Sequence, residues 1–113
     1  MSEGLKKSHI LVVDDMSSNR VLLAKMIIRL GQHVITAGSA SEALSLCDEY
    51  EFDLILLDVS MPDIDGFELA KILKNKTKTK GIKIIFVTGV KKQRLDHLQG
   101  LNLGAVDYIE KPI

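Results

Sequence analysis

Five short apolar runs recur along the chain, at residues 9–14, 33–37, 53–58, 82–87 and 106–110. The first and third are continuously apolar, as in Ile10-Leu11-Val12-Val13 and Leu54-Ile55-Leu56-Leu57. That pattern predicts strands buried on both faces, as in a parallel sheet. Between the runs the spacing becomes helical. Ser17 or Ser18 is placed to cap a helix reaching about Leu30, on which Val21, Leu22, Met26, Ile27 and Leu30 keep a helical spacing. Gly31 then supplies a left-handed end. Ser39-Ala40-Ser41-Glu42 is a capping-box pattern opening a helix to about Tyr50, with Ala43, Leu44 and Leu46 on its apolar face and Cys47 beside them. A loop at 59–65, closed by Gly66, leads to a helix over about 67–74 with Leu69, Ile72 and Leu73 inward. A fourth helix is predicted over about 91–103, weakened in its last turn by Gly100. Strand and helix thus alternate four times before a last strand. Such alternation implies right-handed crossovers and an α/β doubly wound parallel sheet covered on both faces.

Three of the strand ends carry groups with chemistry: Asp14-Asp15, Asp58 and Thr88. Ligands of open α/β sheets bind outside the carboxyl ends of the strands, so these residues should converge in one crevice. Three carboxylates brought together repel, and a divalent cation relieves the repulsion. Mg2+ prefers hard oxygen ligands and often shares its shell with phosphate. An ionised aspartate is also a competent nucleophile toward phosphorus. The cluster therefore reads as a site for Mg2+ and a phosphoryl group, with Lys111 after the last strand as a phosphate partner and Thr88 as a hydroxyl donor. Taken singly, Asp14-Asp15 could cap the first helix, Asp58 could be a loop acid and Lys111 a surface lysine; their joint placement at strand ends carries the reading.

Composition narrows this picture. With 113 residues the chain has room for one domain with one modest core, read as a short tail at 1–8 and a domain at 9–113. Its 15 basic residues balance its 15 acidic residues, so no basic excess favours direct nucleic-acid binding. One cysteine, Cys47, forms no internal disulfide and reads as core filler, which fits a reducing cytoplasmic setting. No apolar run is long enough to span a bilayer or to serve as a secretory signal, so no membrane role is expected. The lysine-rich stretch 74–83 reads as a solvated loop, and His9, His33 and His97 show no ligand spacing.

The motifs Leu11-Val12-Val13-Asp14-Asp15, Leu56-Leu57-Asp58-Val59-Ser60-Met61-Pro62-Asp63-Ile64-Asp65-Gly66, Phe86-Val87-Thr88 and Asp107-Tyr108-Ile109-Glu110-Lys111-Pro112 occur in order. The pattern resembles the receiver domains of two-component response regulators over residues 9–112. That resemblance implies a five-stranded, flavodoxin-like sheet of order 2-1-3-4-5. It implies Asp58 as phosphoacceptor, Asp15 as direct Mg2+ ligand with Asp14 helping through water, and the backbone carbonyl of Ser60 as a further ligand. Lys111 would bind the phosphoryl group. Thr88 and Tyr108 would be the paired switch residues, and the Lys111-Pro112 bond is similar to one that is cis in the family. The implied activity is signalling rather than enzymatic turnover. A histidine kinase or phosphotransfer protein supplies the phosphoryl group, and a conformational change then controls a partner or an output domain.

Departures from the family pattern set further expectations. Gly89 stands where alanine is usual, which predicts a more mobile loop. Val90, which with Ser60 flanks the path of hydrolytic water in the family, cannot orient that water, so slow self-dephosphorylation is expected. The family's fifth helix is expected to be absent from this sequence, which ends at Ile113; either the sequence is a trimmed piece or another chain covers the face, and self-association through the fourth helix and fifth strand is expected. Two rival readings are an aspartate-nucleophile phosphatase of the haloacid-dehalogenase kind and a receiver-fold interaction module that is not phosphorylated. The first would place Asp-x-Asp at the first strand, where Asp14-Asp15 stands instead.

Overall fold

The apolar runs do become parallel strands. In the computed structural model, which describes residues 7–88 and 107–110, the elements are β1 (His9–Val13), α1 (Ser17–Arg29), β2 (His33–Ala37), α2 (Ala40–Glu49), β3 (Leu54–Leu57), α3 (Gly66–Lys74), β4 (Lys83–Thr88) and β5 (Asp107–Glu110). The sheet runs in the order β2-β1-β3-β4, with β5 pairing beyond β4, all parallel. β1 pairs with β2 from His9↔His33 to Val13↔Ala37, and with β3 from Ile10↔Leu54 to Val13↔Leu57. β3 pairs with β4 from Leu54↔Lys83 to Leu57↔Phe86. The helix expected over 91–103, with Gly89, Val90, Lys111 and Pro112, lies outside the described residues, and so does most of the surface named for self-association.

Continuous apolarity is explained by burial on both faces. Leu11, Val13, Ile55, Leu57, Ile84 and Phe86 join Ala43, Cys47, Phe67, Leu69 and Leu73 in one cluster, under α2 and α3. The alternate residues Ile10, Val12, Leu56 and Val87 meet Leu23 and Ile27 of α1 on the other face. Adjacent strand residues point to opposite faces, so each strand needs apolar side chains at every central position.

Two expectations on α1 are corrected. Its N-cap is Met16 rather than Ser17 or Ser18, and Met16 makes no side-chain cap bond. Instead the Met16 amide donates to Oδ1 of Asp14 at 2.9 Å, so the carboxylate that ends β1 takes over the capping task. The inward stripe is Leu23 and Ile27, one turn apart, whereas Val21, Leu22, Met26 and Leu30 are exposed. Two apolar stripes compete on this helix, and only the seat over β1 and β2 selects between them. The end is as expected: Gly31 has φ 80°.

α2 and α3 are capped by side chains. Ser39 accepts from the Glu42 amide at 3.1 Å, and Asp65 accepts from the Glu68 amide at 2.9 Å. The lysine-rich stretch after α3 is more fixed than a solvated loop. Thr79 is buried and its Oγ1 donates to the Leu73 carbonyl at 2.6 Å, while Lys74 Nζ donates to the Ile82 carbonyl at 3.0 Å. Thr79 thus satisfies a carbonyl that the end of α3 leaves unpaired, and Lys74 ties the helix end to the turn before β4.

Candidate metal centre

The sheet register itself assembles the site. Val13 and Leu57 are paired neighbours, so the next residues, Asp14 and Asp58, leave the sheet side by side. The ladder continues beneath them: the Asp58 amide donates to the Val13 carbonyl at 2.9 Å, and the Asp14 amide to the Ala37 carbonyl at 3.1 Å. Asp14 and Asp58 are buried, at 1% and 5% exposure, and Asp15 is exposed. One carboxylate oxygen from each of the three lies within 4.8 Å of the others. Among the described residues no other group of three or more such side chains is so placed. Buried carboxylates at this spacing are costly unless compensated, and the donor set is all hard oxygen, which fits Mg2+ or Ca2+ rather than a thiophilic metal.

The loop after β3 is held tightly. The Ser60 amide donates to Oδ1 of Asp58 at 3.3 Å, and the Gly66 amide donates to the Val59 carbonyl at 2.7 Å. A Cβ on Gly66 would collide with the carbonyl of Asp58, so only glycine allows the start of α3 to sit on the strand end. On the other side, Arg20 Nη1 donates to the Asp14 carbonyl at 2.6 Å. Arg20 carried no sequence signal, because a basic residue on the first turns of a helix is ordinary. Gly66 was legible as a loop closer but not as a close approach.

Other predicted residues are placed by backbone alone. Thr88 is the last residue of β4, in register with Glu110, and Tyr108 of β5 pairs with Phe86. Lys111 lies outside the described residues. His9 and His33 are register partners whose rings stack at 4.8 Å, at the end of the sheet opposite the carboxylates. No helix among the described residues is long and apolar enough to cross a membrane.

The model of the response regulator receiver domain matches residues 10–113. This chain belongs to that family. Its sequence is 42% identical over 103 residues to the alkaline phosphatase synthesis transcriptional regulatory protein PhoP of Bacillus subtilis, covering 91% of this chain and 42% of PhoP. Its fold is similar to that of the chemotaxis response regulator CheY4 of Vibrio cholerae, with TM-score 0.87 and 30% identity, covering 96% of this chain and 89% of the other. It is also similar to the response regulator TrrA of Thermotoga maritima, solved in complex with Mg2+ and BeF, with TM-score 0.80 and 34% identity over 94% of this chain and 88% of TrrA. The receiver domain spans from about a quarter to under half of the length of several curated relatives it matches.

Proposed function

We propose that this receiver domain accepts a phosphoryl group on the Asp58 carboxylate and passes the change to a partner or output domain. The observation that carries the reading is the meeting of Asp14, Asp15 and Asp58, with one oxygen each within 4.8 Å, at the carboxyl ends of β1 and β3. Mg2+, held by these three side chains and the Ser60 carbonyl, would neutralise charge on the phosphoryl oxygens. An oxygen of Asp58 attacks the phosphorus of a phosphohistidine on a histidine kinase or phosphotransfer protein. The phosphorus–oxygen bond forms as the phosphorus–nitrogen bond breaks, and the electron pair leaves with the imidazole, which takes up a proton from solvent. Positioning does most of the work, because a loose phosphoryl transition state asks little covalent help.

Lys111 pairs with the phosphoryl oxygens from the end of β5, and Thr88 reaches them from the end of β4. Tyr108 follows Thr88, and the surface beside β4 and β5 changes with them. Support comes from the Mg2+ and BeF complex of TrrA, a 34% identical relative. The downstream effect belongs to segments beyond the receiver domain, as the transcriptional role named for PhoP suggests. The test is intact mass after incubation with Mg2+ and acetyl phosphate, with Asp58→Asn run beside it. One added phosphoryl mass, absent in Asp58→Asn, is expected. No adduct on folded protein, or an equal adduct on the variant, overturns the proposal.

A further inference from the structure

The carboxylates stand on two loops, one held by Arg20 of α1 and the other fastened to the first turn of α2. On one side, Arg20 donates to the Asp14 carbonyl at 2.6 Å, and its guanidinium lies against Gly38, where a Cβ would come within 3.1 Å of Nη1. Gly38 in turn donates its amide to Oε1 of Glu42 at 2.5 Å. On the other side, Asp63 reaches from the loop after β3. Its Oδ1 accepts from the Ala40 amide at 3.3 Å, and its Oδ2 accepts from the Ser41 amide at 3.2 Å and from Ser41 Oγ at 3.3 Å. These amides are among the donors that a helix leaves unpaired at its positive end. Ser39 caps the same turn from within the α2 segment, so Asp63 is a second cap, brought from 22 residues away. The Ile64 amide, against an opposing desolvation and with help from the amides of Ser41 and Ala40, holds the Asp63 carboxyl below its ordinary range.

A surface carboxylate could make three such contacts for stability alone. Here the contacts also have a location: Asp63 lies in the same short loop as Asp58 and Ser60, between the strand end and the helix that Gly66 presses against Asp58. Asp63 thereby ties the loop that carries Asp58 and Ser60 to the first turn of α2, while Arg20 of α1 holds the Asp14 carbonyl on the other side. We propose that Asp63 is a positioning residue for that cluster: by holding the loop after β3 to α2, it sets the place of Asp58 and Ser60 relative to Asp14 and Asp15. The affinity of the cluster for Mg2+ then depends on a residue that does not touch the metal. The inference rests on the Mg2+ reading above.

The test is a Mg2+ titration of the full chain, followed by backbone amide NMR, for the native protein, Asp63→Ala, Asp63→Asn and Ser39→Ala, with unfolding midpoints measured in parallel. Asp63→Ala should weaken Mg2+ binding by about three- to tenfold, in the range by which networked residues tune a distant site. Asp63→Asn keeps one acceptor and should recover part of the loss, which also covers failure of the alanine variant to fold. Ser39→Ala removes the local cap of the same helix but not the tie to the loop, so it should lower stability and leave Mg2+ affinity within about twofold. By linkage, Mg2+ should slow exchange of the Ala40 and Ser41 amides in the native protein and not in Asp63→Ala. Equal Mg2+ affinity in Asp63→Ala and the native protein overturns the proposal, as does equal weakening by Ser39→Ala. A native protein that binds no Mg2+ overturns the functional reading and this inference together, whereas native binding with an unaffected Asp63→Ala overturns this inference alone.

Discussion

Replacing Gly66 by alanine tests how firmly Asp58 is seated. Gly66 is the first residue of α3, and the added methyl would meet the Asp58 carbonyl and, at 2.8 Å, the Cα of Val59. Both neighbours are backbone, so no rotamer change relieves the overlap. Helix propensity pulls the other way, since alanine is favoured over glycine inside a helix by up to about 1 kcal/mol. Overpacking typically costs about 1–3 kcal/mol, and a clash with backbone belongs at the upper end. The shift also strains the Gly66 amide bond to the Val59 carbonyl, 2.7 Å long, and a hydrogen bond of that kind contributes about 1 kcal/mol net. The steric and hydrogen-bond losses exceed the propensity gain, leaving about 2–3 kcal/mol of destabilisation. For a domain of this size that corresponds to a fall in Tm of about 10–20 °C.

Two other glycines supply the comparison. Gly81 has nothing within 4 Å of an added Cβ, so Gly81→Ala should be neutral or stabilising by up to about 1 kcal/mol. Gly31 also has open space, but its φ of 80° should make Gly31→Ala cost about 1–2 kcal/mol through backbone strain alone. Thermal and urea unfolding followed by far-UV circular dichroism would rank the three. The expected order of loss is Gly66→Ala, then Gly31→Ala, then Gly81→Ala. If Gly66→Ala melts with Gly81→Ala, the approach of α3 to the strand end is looser than the structure has it, and the argument for a fixed Asp58 fails with it.

Phe86→Ala should lower urea stability by about 3–5 kcal/mol, because Phe86 is buried between β3 and β5 and packs on Phe67 at 4.9 Å between ring centres. Burial, reinforced by the charge of Asp48, pushes the Cys47 thiol up from its ordinary pKa; a thiol reagent at neutral pH should therefore modify the native protein far more slowly than the urea-unfolded chain, and equal rates would contradict the buried placement. The folded pKa of Asp63 is lowered, so its contribution to stability is present above its unfolded value, near 3.8, and is lost as pH falls through the folded value. The gap in urea midpoint between the native protein and Asp63→Asn should accordingly hold at neutral pH and close in acid, and a gap that widened in acid would refute the assignment.

The central strands were legible because burial on both faces leaves an unbroken apolar run, whereas the order of the sheet came from the family resemblance. Asp14 and Asp58 were legible for the same reason, as carboxylates at the ends of such runs. The choice of inward stripe on α1 was not, since Leu22 and Met26 are spaced as well as Leu23 and Ile27 and differ only in which one faces the sheet. Arg20 and Asp63 were also invisible. Each acts across the fold, on Asp14 and on the start of α2, and no local spacing encodes a contact made between elements.

The site is therefore best understood as a product of register. Parallel pairing of Val13 with Leu57 fixes Asp14 beside Asp58 to within the tolerance of a hydrogen-bond ladder, before any loop is considered. A one-residue slip of β3 would turn Asp58 to the other face and remove it from Asp14, and the two-sided core penalises that slip at every apolar position of the strand. What register leaves undetermined is the path of the loops above the sheet. Gly66, Arg20 and Asp63 act at that level, with a close approach of α3 to the strand end, a tie from α1 to the Asp14 carbonyl and a tie from the loop after β3 to α2. Separating the two levels makes a distinction that experiment can reach. Damage to the sheet should unfold the domain and lose the site together, whereas damage to the anchors should loosen the site in a domain that remains folded.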